Sequence, residues 1–217
     1  MKDNYTLRLA TLEEAYEIWS VMDICYHALE HKEYFICDDL DYVKDILSGH
    51  GLGVVACDER GKIVGNLLVK YPGLSEENLG YDVFIPSPKD YIHNISLNAD
   101  DCNQIITAHD DNICLKCTIS LTSENLMSVL HMDSASVLPK HRGHKLEHQM
   151  ITFAETLVDT SRYCYSFATV APENTASLKS LEKTGYRVMV TKEKYSGLIR
   201  CVMMKELNEH QKSNLTE

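Results

Sequence analysis

From Ser134 to Glu155 the chain reads SASVLPKHRGHKLEHQMITFAE: a strand, a basic turn with one glycine, and a helix. Met132 to Leu138 is the strand candidate, and Pro139 to Gly143 is the turn. Lys145 to Val158 is amphipathic, with Leu146, Met150, Phe153, Ala154 and Leu157 on one face. Because the turn opens a helix, its backbone N–H groups have no intrahelical partners. Those donors and the positive end of the helix dipole suit a phosphate or pyrophosphate. Lys140, Arg142 and Lys145 add cationic side chains at the same place, and Gly143 lets a ligand approach the backbone with no Cβ in the way. Taken alone, a basic strand-to-helix turn is more often an ordinary connection.

The rest of the chain supplies both element types. Tyr5 to Ala10 alternates as a short strand; Thr11 and Glu14 form a capping box for a helix from Leu12 to about Leu29. A second helix is predicted from Leu40 to Leu47, ending at Ser48-Gly49-His50-Gly51. Leu52 to Cys57 and Lys62 to Tyr71 read as a hairpin around Asp58-Glu59-Arg60-Gly61. Residues 72–130 are rich in Asn, Asp and Ser, with strand-like pieces such as Asn112 to Leu121. They read as a variable insertion that could cover an acceptor site, since long loops are often functional. Beyond the central unit come a strand at Tyr163 to Val170, a helix at Ala176 to Lys183, and strands at Tyr186 to Thr191 and Leu198 to Leu207. Residues 208–217 form a polar tail. The expected organisation is a single domain over 1–217, of mixed α/β class, with a central, mostly antiparallel sheet flanked by helices.

Charge narrows the partners. With 32 acidic and 21 basic side chains, the formal net charge of −11 disfavours nonspecific nucleic-acid binding, which depends on Lys and Arg at phosphates. It is compatible with a cationic ligand, and equally with a plain solvated acidic surface. No apolar run approaches the roughly 18 residues of a membrane span, and the N-terminus lacks a signal-peptide core. A cytoplasmic setting without membrane association is the expectation. The eight cysteines are scattered, several within apolar runs, which there suggests buried free thiols.

A second unit lies downstream. Ala171 to Val188, APENTASLKSLEKTGYRV, combines a strand end, an Asn-containing loop, a helix, a Thr-Gly-Tyr stop and a new strand. Together with Val137-Leu138-Pro139-Lys140-His141-Arg142-Gly143-His144-Lys145-Leu146, it resembles the GNAT superfamily of acyl-CoA-dependent N-acetyltransferases. In that family a strand ending Val-x-Pro leads into a loop Arg/Gln-x-x-Gly-x-Gly/Ala. The later signature Asn-x-x-Ala/Ser with Gly-Phe/Tyr is matched by Asn174, Ser177, Gly185 and Tyr186. The resemblance is close over 131–207, the half it marks as acetyl-CoA-binding, and agrees in element order before it.

The resemblance implies a fold with two splayed strands, near Met132 to Leu138 and Tyr163 to Val170, that admit acetyl-CoA as co-substrate. Backbone groups of Ser136, Val137 and Leu138 would pair with the pantetheine arm. The amides of Arg142, Gly143, His144, Lys145 and Leu146 would hold the pyrophosphate, with Lys140 at the loop's first position. Asn174 and Ser177 would lie near the arm and thioester. Three departures stand out: Lys140 replaces Arg or Gln, Lys145 replaces Gly or Ala, and Leu181 occupies the place of a Tyr that protonates the leaving thiolate in many members. Lys145 must reach solvent or a phosphate to avoid obstructing the site.

The implied reaction moves an acetyl group to a primary amine of a small molecule, a cationic one being compatible with the acidic balance, by direct attack in a ternary complex. Asp133 is the first candidate base, since this family often places a carboxylate near the cofactor strand; His131 is the second, and Tyr195 is the candidate acid. Each has a plainer reading: a strand-end hydrogen bond, a buried structural histidine and a packing aromatic. Tyr81 and Asp82 could line the acceptor pocket or sit in an ordinary loop. A zinc site built on Cys114-x-x-Cys117, Cys102 and His109, with His141, His144 and His148 nearby, is a weaker match, and no metal is expected. A non-catalytic acyl-CoA sensor and a plain interaction protein are the other readings. A homodimer, common in the family, is compatible with the sequence.

Overall fold

The computed structural model describes residues 4–71, 129–194 and 197–207. Seven strands form one sheet in the order β1-β2-β3-β4-β5-β7-β6. They are β1 (Thr6–Leu9), β2 (Gly51–Cys57), β3 (Ile63–Lys70), β4 (Val129–Val137), β5 (Tyr165–Val170), β6 (Arg187–Lys194) and β7 (Leu198–Glu206). Every neighbouring pair is antiparallel except β4 with β5. The mixed α/β, mostly antiparallel architecture is therefore present.

Helices cover both faces, as a sheet with two apolar sides requires. On one face lie α1 (Ala15–His27) and α2 (Leu40–Asp45). Ile18, Met22, Val43 and Ile46 pack there on Val55, Ile63 and Leu68. On the other lies α3 (Leu146–Leu157), where Leu146, Met150, Ile151 and Ala154 meet Val54, Leu67, Leu130 and Met132. The shorter α4 (Thr175–Lys183) sits beside α3 and contributes Leu181 to that cluster.

Several elements differ from the sequence expectation. The helix predicted from Leu12 begins as a 3-10 turn, Leu12–Glu14, before α1. Its capping box is present: Thr11 N–H donates to the Glu14 carboxylate at 2.9 Å, which Arg8 also grips. α2 ends at Asp45 and continues as a π turn, Ile46–His50, broken at Gly49. A further 3-10 turn, Lys32–Tyr34, goes unsignalled in the sequence; Arg200 holds it to β7 by donating to the Glu33 carbonyl at 2.6 Å. β4 starts at Val129, inside the stretch read as insertion, because Val129 and Leu130 are buried and pair with Tyr165 and Ser166.

The decisive irregularity is in β4. Leu67 pairs with Ala135 and Val69 with Met132, so Leu68 alone faces Asp133 and Ser134. Two residues opposite one is a β-bulge, which bends its strand and re-aims side chains. Alternation would send Asp133 and Ser134 to opposite faces. Instead both reach the α1–α2 side, where Tyr42 and Asp38 meet them.

Candidate active site

β4 and β5 pair from Val129 to Met132 and then separate. Beyond that point the β5-facing edge of β4 has no strand partner among the described residues. The gap opens into a cleft of about 420 Å³. Asp133, Ser136, Val137, Arg142, Gly143, Lys145, Leu146, Asn174 and Ser177 all line it, so one cleft collects most of the predicted site residues. Four predicted residues stand off its wall, among them His131, which is buried within the sheet. The Leu138 N–H donates to the Val64 carbonyl at 2.9 Å, which leaves that amide no free edge to offer. Lys140 is exposed in the 3-10 turn Pro139–His141, and the His144 ring packs edge-on against Tyr5.

The turn is built as an anion site requires. Gly143 has φ +85, a left-handed conformation that costs a side-chain-bearing residue energy, and open space surrounds its missing Cβ. Lys145 takes the N-cap of α3 at φ 61. Left-handed backbone is uncommon outside Gly, Asn and Asp, and such outliers concentrate at ligand sites. Arg142 Nε donates to the Val137 carbonyl at 3.2 Å, bracing the turn against the open strand edge.

α4 closes the other wall. Asn174 Oδ1 caps it by accepting the Ser177 N–H at 3.3 Å, and Ser177 Oγ donates to Glu147 Oε1 at 2.5 Å. Asn174 and Ser177 thus hold helix and cleft together. Glu147, which the sequence did not single out, is a carboxyl on the wall of the same cleft. Burial raises its pKa against the opposing hydrogen bonds of Ser177 and Ser180. A carboxyl that favours its neutral form opposes a bound anion less.

On the α1–α2 face, the bulge gathers a polar group around Asp133. Tyr42 Oη donates to Asp133 Oδ2 at 2.6 Å; Asp39 positions Tyr42 by N-capping α2. His131 Nδ1 stands 3.3 Å from Asp133 Oδ1. Burial opposes ionisation of Asp133, but His131 and Tyr42 outweigh it and hold the pKa below the usual carboxylate range. Asp38 behaves oppositely. Burial and the facing charge of Asp133 push it up to about 6, although Ser134 Oγ donates to it at 2.7 Å and Lys70 lies near. Neither Asp38 nor Tyr42 carried a sequence signal; only the bulge brings residues so distant in sequence together. Asn66 Oδ1 is buried on this face with no hydrogen-bond partner among the described residues, and Cys25, Tyr34 and Phe35 complete the wall.

Tyr195, Tyr81, Asp82, Cys102, His109, Cys114 and Cys117 lie outside the described residues. No group of three potential ligands positioned for a metal occurs among the described residues. His141 and His144 both pack on Tyr5, and His148 points toward α4, so these histidines do not converge.

Solved structures share the fold of this chain. A GNAT-family acetyltransferase of Streptococcus pneumoniae superposes with a TM-score of 0.59 at 10% identity, over 94% of this chain and 99% of that one. The fold is that of the GNAT acetyltransferases. A GNAT-superfamily phosphinothricin acetyltransferase of Sinorhizobium meliloti, solved in complex with acetyl-CoA, gives 0.58 at 14%, covering 96% and 90%. The ribosomal-protein-S18-alanine N-acetyltransferase of Escherichia coli gives 0.57 at 9%, covering 94% of each chain. No family model matches the sequence, and neither does a curated protein. What this chain shares with these GNAT proteins is therefore architecture; its site must be argued from its own residues. No helix among the described residues is long and apolar enough to cross a membrane.

Proposed function

We propose that the chain is an N-acetyltransferase that uses acetyl-CoA and acetylates a primary amine of a small, cationic molecule by direct attack in a ternary complex. One observation carries the reading: β4 parts from β5 at Met132, beside a helix N-terminus with a basic glycine turn, and carries a carboxylate group on its other face at the same point. The parted strands offer an unpaired backbone edge for an amide-bearing chain, and the turn offers amides for a pyrophosphate. Both ends of the required cofactor therefore meet complementary chemistry.

Acetyl-CoA supplies an acyl group already activated as a thioester. The protein's tasks are to hold the amine in line, take its proton and stabilise charge on the carbonyl oxygen. Positioning alone can contribute about 7–11 kcal/mol. Asp133, held ionised by Tyr42 and His131, suits an ammonium anchor better than a base. Asp38, at about 6, lies where a general base works near neutral pH. We assign the proton to Asp38, directly or through one water, with His131 positioning Asp133. The Val137 amide, on the open strand edge, is our candidate donor to the carbonyl oxygen. Tyr195 is kept as the proposed proton donor to the leaving thiolate.

A non-catalytic acyl-CoA sensor is the second reading. It is favoured by Leu181, which is 4% exposed and places an apolar side chain on the cleft wall where a proton donor would stand. Calorimetric titration with acetyl-CoA, followed by a panel of amines assayed by thiol release, separates the two. Micromolar binding with amine-dependent release supports the enzyme. Binding without release across the panel supports the sensor. Absence of binding sinks both.

A further inference from the structure

Lys145 belongs to two concavities. It lines the cleft between β4 and β5, and also a second pocket of about 510 Å³ against α4. Ala176 and Ser180 are likewise shared, so the second pocket continues the first. Its remaining walls are His148, Lys179 and Lys183. Three lysines therefore face one space that no carboxylate lines. None of the three has an ion-pair partner among the described residues.

This arrangement opposes the stability of the empty protein. Lys179 and Lys183 are four apart on α4, where like charges repel, and Lys145 adds a third charge across the gap. It is also out of keeping with a chain of net charge −11. His148 Nδ1 is buried there with no hydrogen-bond partner among the described residues. An anion would satisfy all of these groups at once, and lysine ammoniums suit a compact phosphate dianion.

The position identifies the anion. On the acetyl-CoA reading, on which this inference rests, the pyrophosphate lies at the α3 turn. The remaining charged group of coenzyme A is the phosphate monoester on the adenosine ribose. We propose that Lys145, Lys179 and Lys183 bind the ribose 3′-phosphate of coenzyme A, so that the protein selects CoA over dephospho-CoA. The lysine at the turn position where glycine or alanine is usual would then connect the two phosphate sites rather than obstruct the first.

The test is calorimetric titration of the full chain with CoA and with dephospho-CoA, in the wild type and in Lys179→Gln/Lys183→Gln. All the altered side chains are exposed, so the variant should fold, which circular dichroism checks. The wild type should prefer CoA by about tenfold or more, as charge-assisted contacts allow. In the double variant the preference should fall to within about twofold, through weaker CoA binding, and CoA binding should lose part of its salt dependence. Equal wild-type affinities, or a preference that survives the double substitution, would overturn the pocket assignment and leave the acetyl-CoA reading standing. Failure of both ligands to bind would overturn both.

Discussion

At the scale of residues, Asp133 on β4 and Asp38 in the loop before α2 face each other and titrate in opposite directions. Tyr42 and His131 stabilise the charged form of Asp133, while burial and that same charge destabilise the charged form of Asp38. An acid whose pKa rises from 3.8 to about 6 on folding binds more protons in the native state across that interval. Its contribution to stability is complete below the lower value and is lost as pH rises through about 6. Asp38→Asn removes the loss while keeping an acceptor for Ser134. We expect Asp38→Asn to be more stable than wild type at pH 7 by about 1–2 kcal/mol, discounted for its partial exposure, as urea titrations at pH 4.5 and 7 can show. If Asp38 is the base, the same variant loses about 10²- to 10⁴-fold in kcat/KM, together with the acid limb of the pH profile. An unchanged acid limb in Asp38→Asn would return the role to another group.

Elements meet through a second, structural polar cluster behind the cleft. Lys205 on β7 bonds Glu155 on α3 at 2.7 Å and stands over the Tyr186 ring; Tyr186 shares a 2.6 Å hydrogen bond with Ser166 on β5. Burial raises the Glu155 pKa against the favourable effect of Lys205. A largely buried carboxylate without its cation is costly, so Lys205→Met should destabilise by about 2 kcal/mol at pH 7. The cost should shrink at pH 5, where the orphaned Glu155 takes up a proton, and Glu155→Gln in the same background should recover much of it. Equal destabilisation at both pH values would mean that Lys205 acts through its alkyl packing instead.

The whole molecule should respond to its ligand by mass action. At free acetyl-CoA near one hundred times its dissociation constant, the native state gains about 2.7 kcal/mol, seen as a rise in melting temperature. Gly143→Val tests whether that gain passes through the turn. A β-branched residue at φ +85 costs about 1–2 kcal/mol by itself, so the informative quantity is the shift that acetyl-CoA adds, measured against each protein's own ligand-free value. We expect that shift to collapse in Gly143→Val. An undiminished shift would place the pyrophosphate elsewhere.

Much of this protein was legible in one dimension, because local chemistry is written locally. The apolar spacing of Ile18 and Met22, the Thr11–Glu14 box, and the Asp58–Gly61 turn each specify an element through neighbours in sequence. The turn from Pro139 to Lys145 was legible as a candidate anion site because a helix N-terminus, a glycine and three cations are contiguous there. Tertiary structure alone decided what depends on register and approach. A two-for-one mismatch against Leu68 turned Ser134 toward the same face as Asp133, where it meets Asp38 while Tyr42 meets Asp133. The end of pairing at Met132 opened the cleft, and the approach of α4 to α3 brought Lys179 and Lys183 to Lys145. Strand register, bulges and helix approach are settled by packing among distant segments. No window of sequence contains them.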